Sequence, residues 1–192
     1  QKKLSYIVVK RWIRTKQKFM IRKIEEKDYE ELKKLVYQVH ELHCLNRPDI
    51  YTDGNPLPLE YFEEILKDIN TLSYVYVNGS KISGVLIAKK KNNRAIPIAK
   101  SRSTYFIEDI VVDKESRRNG IGKKLYYFLK EKAKEENVDA IELNVWGFNE
   151  AAIKFYESLG MTVKNMKLEQ LLDNEHIVIK SNELKITSKV DE

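Results

Sequence analysis

Ile107-Glu108-Asp109-Ile110-Val111-Val112-Asp113, followed after Lys114-Glu115-Ser116 by Arg117-Arg118-Asn119-Gly120-Ile121-Gly122-Lys123-Lys124-Leu125, decides how this chain is read. An apolar strand ends in an acid, crosses a basic turn with two glycines and enters an amphipathic helix. Such a loop lets consecutive backbone N–H groups point outward at the positive end of a helix, where phosphate oxygens bind. Gly120 and Gly122 leave no side chain to hold a pyrophosphate away from that backbone. The stretch reads as an anion cradle.

Two familiar phosphate loops are excluded by single positions. A Walker A loop needs Ser or Thr after Gly-Lys, and Lys124 stands there; a dinucleotide fingerprint needs a third small residue where Leu125 stands. What remains is Arg/Gln-x-x-Gly-x-Gly/Ala. Further on, Ala140 to Trp146 alternates as a strand should, with Ile141, Leu143 and Val145 on one face. Asn149 then supplies an N-cap, and Ala152, Ile153, Phe155, Tyr156 and Leu159 form an apolar helical face before Gly160.

The cradle pattern resembles the coenzyme A loop of the GNAT N-acetyltransferase superfamily. The block Leu143-Asn144-Val145-Trp146, Asn149 and Ala151 to Met161 is similar to the second half of that family's signature, in matching order and spacing. The resemblance implies an α/β (α+β) chain with the GNAT fold: a mixed central sheet with splayed parallel strands, flanked by helices.

Composition sets bounds on the reading. At 192 residues and 42% hydrophobic, the chain suffices for one sizeable core. No apolar run is long enough to cross a bilayer, and the single Cys44 permits no intramolecular disulfide, so a reducing, cytoplasmic setting without membrane contact is expected. The net charge of +6 is concentrated at one end: residues 1–18 hold seven basic residues and no acid, leaving 28 basic and 29 acidic residues elsewhere. Residues 1–18 are therefore read as a basic extension, 19–172 as the catalytic domain and 173–192 as a C-terminal strand or tail, with Ile177 to Ile179 strand-like. A basic arm is compatible with nucleic acid or with plain solvation.

Periodicity places the remaining elements. Phe19 to Ile24 reads as a strand, and Glu26 to His43 as a helix with Tyr29, Leu32, Val36 and Val39 inward. Asn46 to Pro58 is a Pro- and Gly-containing loop. Leu59 to Ile69 reads as a helix with Phe62, Ile65, Leu66 and Ile69 inward. Leu72 to Val77 and Ile82 to Lys89 are strands joined at Asn78-Gly79. Lys91 to Ser103 reads as a loop, residues 104–112 as a strand and Met161 to Leu171 as a last strand. His40-Glu41-Leu42-His43-Cys44 lacks the second terminal His of a zinc-protease motif, and no metal is expected.

The family resemblance implies roles residue by residue. Acetyl-CoA is the acetyl donor and a primary amine the acceptor, in a ternary complex, with room for a homodimer. Backbone atoms of Ile110, Val111 and Val112 would pair with the pantetheine arm. Arg117, Arg118, Asn119, Gly120, Ile121, Gly122 and Lys123 would hold the diphosphate. An N–H near Val111 would serve the oxyanion, and Asn149 would contact the coenzyme, although helix capping alone also accounts for it. Tyr156 would protonate the leaving thiolate, its alternative being a core tyrosine. For the base, strand alternation sends Glu108 and Asp109 to opposite faces. Glu108 is favoured, Asp109 is placed with the substrate, and Glu142 is a third candidate. Asp49, Tyr51 and Asp53 would line the acceptor side, or serve only their loop. A catalytically silent acyl-CoA-binding module and a nucleic-acid-binding protein led by the basic arm are the alternatives from other classes.

Overall fold

The computed structural model describes residues 19–172, so the expected extension at 1–18 and tail at 173–192 lie outside the described residues. The chain divides into two compact units, Gln1–Asn144 and Val145–Glu192. In the first unit β1 (Phe19–Lys23), α1 (Tyr29–Asn46), α2 (Leu59–Lys67), β2 (Thr71–Asn78), β3 (Lys81–Asn93), β4 (Arg102–Val112), α3 (Ile121–Glu135) and β5 (Ala140–Leu143) follow in order. The five strands lie side by side in chain order; β1 to β4 pair antiparallel, and β4 pairs with β5 in parallel.

Alternation along the strands gives the sheet two apolar faces. One packs Val75, Val85, Ile87 and Val111 against Leu32 and Leu35 of α1 and Phe62 and Ile65 of α2. The other receives α3, whose Ile121, Leu125 and Leu129 are buried. At Gly84 this second contact is so close that a Cβ would stand 3.0 Å from Ile121 and 3.1 Å from Leu125.

The α1 region begins later than periodicity suggests. Glu26–Asp28 winds as a 3-10 turn, and only from Tyr29 is the chain α-helical. The turn is fixed by Asp28, whose carboxylate accepts from both terminal nitrogens of Arg22 at 2.6 and 2.8 Å and from Glu25 N–H at 2.8 Å. Ile69, expected inward, is 96% exposed, because α2 ends at Lys67 and helical periodicity no longer governs position 69. The expected loop at 91–103 shrinks to residues 94–101, since β3 and β4 zip further along each other. Mutual Ile96 and Ala99 backbone bonds of 2.9 and 3.0 Å close its tip.

One strand is shorter than expected and one is absent among the described residues. β5 stops at Leu143 rather than Trp146. Residues 161–171 form no strand: alternation supplies a side-chain pattern, but a strand also needs a ladder partner, and among the described residues none pairs with this segment. Val163, Met166 and Leu168 are exposed there. The second unit contains α4 (Glu150–Ser158), capped by Asn149 Oδ1 accepting from Ala152 N–H at 3.1 Å. Gly160, at φ +86°, turns the chain out of that helix.

Candidate active site

β4 outlasts its parallel neighbour. The last β4–β5 pair is Ile107 with Leu143, while β4 continues through Val112. Asp109–Val112 thus keep β3 on one side and lose β5 on the other. Asp113 N–H donates to Ser83 C=O across the β3 ladder at 3.1 Å. Antiparallel alternation then turns the backbone groups of Val111 and Asp109 toward β3, and those of Ile110 and Val112 toward the vacated side. This corrects one expectation: the N–H of Val111 is taken up by the sheet, and among the described residues the edge without a strand partner belongs to Ile110 and Val112. Arg117 Nε covers part of that edge, donating to Val112 C=O at 3.2 Å.

The edge runs directly into the cradle. After a 3-10 turn at Lys114–Ser116, Arg118 and Gly120 take left-handed conformations, φ +63° and +72°, with Asn119 between them. Alternating handedness of this kind bends successive N–H groups toward one point, forming an anion nest. Asn119 Nδ2 donates to Ser116 C=O at 3.2 Å and steadies the turn. The first backbone bond of α3 runs from Lys124 N–H to Gly120 C=O. The N–H groups of Ile121, Gly122 and Lys123 therefore have no helical acceptor and point out of the helix start. Ile121 is buried, so only its backbone serves the cradle. A Cβ at Gly120 would meet nothing within 4 Å, so no neighbouring side chain packs against the turn there. The fit to a diphosphate is good: open donors, a positive helix end and adjacent Arg117, Arg118 and Lys123.

The acidic pair is arranged differently from the alternation rule. In the β3–β4 ladder Asp109 faces Ile87 while Ile107 faces Ala88, so Glu108 is one residue too many: a β-bulge. The bulge brings both carboxylates to the α2 side of the sheet. Glu108 accepts from Tyr61 O–H at 3.4 Å and lies 3.5 Å from Lys89 Nζ. Burial pushes the Tyr61 hydroxyl up to about 12, helped by the charges of Glu108 and Asp109. Burial likewise pushes the Asp109 carboxyl up to about 6, with the neighbouring Glu108 charge adding to it. Among the described residues no donor or cation reaches the Asp109 carboxylate.

Tyr61 and Lys89 were not legible as site residues. Tyr61 stands one turn before Ile65 on the buried stripe of α2, which was the available signal. Glu142 lies 3.6 Å from Arg102 on the neighbouring strand pair.

The loop after α1 is held by its own Arg47–Asp49 pair and by side chains of α1. Arg47 grips Asp49 with Nε and Nη2 at 2.6 to 3.1 Å, keeping the Asp49 carboxyl below its usual range. Tyr51 stacks on His43 at 5.0 Å, and Tyr37 O–H donates to Asp53 at 2.7 Å. Burial, with His40 nearby, pulls His43 down. Cys44 Sγ meets His40 Nε2 at 3.3 Å, but among the described residues no group of three His, Cys, Asp or Glu could hold a metal ion. No helix among the described residues is long and apolar enough to cross a membrane. In the second unit, Tyr156 lies on α4 with its ring edge-on to Phe155 at 5.0 Å.

Comparison with known proteins places this geometry in a family. The acetyltransferase (GNAT) family model matches residues 36–161, and the chain belongs to that family. An uncharacterized N-acetyltransferase encoded in the pepI 3' region of Lactobacillus delbrueckii subsp. lactis is 41% identical over 56 residues, covering 29% of this chain and 32% of the relative. The matched part thus spans about a third of that curated relative's length. Among solved structures, a tetramutant of the BH1408 protein from Bacillus halodurans is 33% identical, with a TM-score of 0.78 over 80% of this chain and 99% of that one. The aminoglycoside N-acetyltransferase AAC(6')-Iy, solved with CoA, shares the fold at 18% identity and a TM-score of 0.64, over 80% of this chain and 93% of that one.

Proposed function

We propose that this protein moves an acetyl group from acetyl-CoA to a primary amine by direct attack in a ternary complex. The observation that carries the reading is the free strand edge at Ile110 and Val112 running into the nest at Arg118 and Gly120. That edge suits the amide groups of a pantetheine arm, and the nest suits the diphosphate behind it. Arg117, Arg118 and Lys123 add charge, each by about 1 kcal/mol or less where exposed.

Acetyl-CoA supplies an activated thioester carbonyl; this chain's residues manage the protons and charge around it. Asp109, which no donor or cation reaches among the described residues and whose carboxyl burial pushes up to about 6, takes the proton from the incoming ammonium. Glu108, held by Lys89 and Tyr61, stays beside it as a fixed negative charge that attracts the cationic acceptor. The N–H of Ile110 or Val112 receives the charge developing on the carbonyl oxygen. As the C–N bond forms and the C–S bond breaks, Tyr156 O–H, the acid that the family resemblance implies, gives its proton to the departing sulfur and is reprotonated by the second proton that the attacking nitrogen loses. The products are an N-acetyl amine and the free thiol. A silent acyl-CoA-binding module would use the same edge and nest, and an Asp109 carboxylate without a partner among the described residues favours turnover over it.

Calorimetric titration with CoA tests the reading. Wild type should bind, and Gly120→Asp should abolish binding in a folded protein, because it sets a side chain and a negative charge in the nest at a φ that disfavours any Cβ. Unchanged affinity in folded Gly120→Asp would remove the cradle assignment.

A further inference from the structure

Gln38 lies on α1, and none of the cradle's donors involve it, yet it holds the turn from which the cradle starts. Its amide Nε2 donates to Asp113 Oδ1 at 3.1 Å, and its Oε1 accepts from Lys114 N–H at 2.9 Å. The orientation is forced: a backbone N–H can only donate and a carboxylate can only accept, so a flipped amide would break both bonds. Asp113 is 6% exposed and is held from two further directions, by Lys81 Nζ at 2.6 Å and Ser116 Oγ at 3.5 Å. One helical turn beyond Gln38, Glu41 takes Lys114 Nζ at 2.9 Å.

Two residues of α1 therefore pin the 113–116 turn, and the left-handed pair Arg118 and Gly120 follows at once. The direction of the nest's N–H groups is set by where this turn leaves the sheet. The same helix holds the acceptor-side loop, through Tyr37 to Asp53 and His40 to Thr52 C=O at 2.9 Å.

We propose that Gln38 is a positioning residue for the coenzyme: through Asp113 and Lys114 it aims the cradle at the diphosphate. The inference rests on the coenzyme A reading above. Gln38 touches no ligand itself; its loss leaves the cradle's donors present but less well ordered.

The test is CoA affinity of the full chain by calorimetry, read together with the melting temperature. Gln38→Ala and Gln38→Met should both weaken CoA binding about fivefold to thirtyfold, since Met restores bulk but neither hydrogen bond. Gln38→Glu adds a pH readout. The new carboxylate would face the negative charges of Asp113, Glu41 and Glu115 and the positive charges of Lys81 and Lys114. Ionised, it repels Asp113; protonated, it donates to Asp113 while still accepting from Lys114 N–H. Its affinity relative to wild type at the same pH should therefore recover as pH is lowered from 8 to 5, while the Ala ratio stays flat.

Wild-type affinity in Gln38→Met, or a Gln38→Glu ratio independent of pH, would overturn the proposal while leaving the cradle intact. A lowered melting temperature with unchanged affinity would reduce Gln38 to a packing residue. Absence of CoA binding by wild type itself would remove the reading beneath it.

Discussion

Replacing Asp109 by Asn should stabilise this protein and disable it together. The carboxyl is pushed from 3.8 up to about 6, chiefly by burial and then by Glu108. A shift of roughly two units corresponds to about 3 kcal/mol of disfavour for the charged form in the folded chain. Because the folded value is raised, the penalty is complete above about pH 6, shrinks as pH falls through that value and is gone below the unfolded value. Asn carries no charge, so the variant should gain about 1–3 kcal/mol at pH 8 and nothing at pH 4. The melting temperature should rise by about 2–10 °C at pH 8, with the two proteins converging in acid. Activity should move the other way, with kcat/KM falling about 10²- to 10⁴-fold and the wild-type acid limb near pH 6 lost. Paired thermal scans and thiol-release kinetics across pH 4–9 read both effects. A variant no more stable than wild type at pH 8, or active within tenfold of it, would refute the reasoning.

Three further outcomes are expected. Tyr156→Phe keeps the ring contact with Phe155 and should lower turnover with a good amine about tenfold to a thousandfold; a change within twofold would leave Tyr156 a packing residue. Gly84→Ala forces a methyl to within 3.0 Å of Ile121, 3.1 Å of Leu125 and 3.2 Å of the Val111 carbonyl, and should cost about 1–3 kcal/mol in urea unfolding. Arg22→Met strands the buried Asp28 carboxylate, whose burial would raise it but which Arg22 and Glu25 N–H hold below its ordinary value; the cost should be about 3–5 kcal/mol at pH 7. Because the folded Asp28 value is lowered, the wild-type advantage should persist above pH 4 and fade as pH drops through the folded value, which acid titration of both proteins would measure.

The cradle turn and the start of α4 were legible because their signals are local. Gly120 and the Asn149 cap each act within a few residues, and both appear where the sequence placed them. Strand pairing is not local. Alternation counts residues and has no sign for an inserted one, so the bulge at Glu108 was invisible, and with it the placing of both carboxylates on one face. Val111 was likewise misjudged as a free edge group, since which backbone groups face outward depends on the register with β3. Leu35 was missed from the inner face of α1, although it stands three residues after Leu32. Gln38 gave no signal, because its partners lie 75 and 76 positions away.

Amide hydrogen exchange along β4, measured with and without CoA, tests the central claim most directly. The free edge at Ile110 and Val112 should be slowed strongly by CoA, as should the cradle amides of Ile121 to Lys123, while Val111, already bonded to β3, should change little. CoA binding that leaves Ile110 and Val112 exchanging as in the free protein would contradict the account.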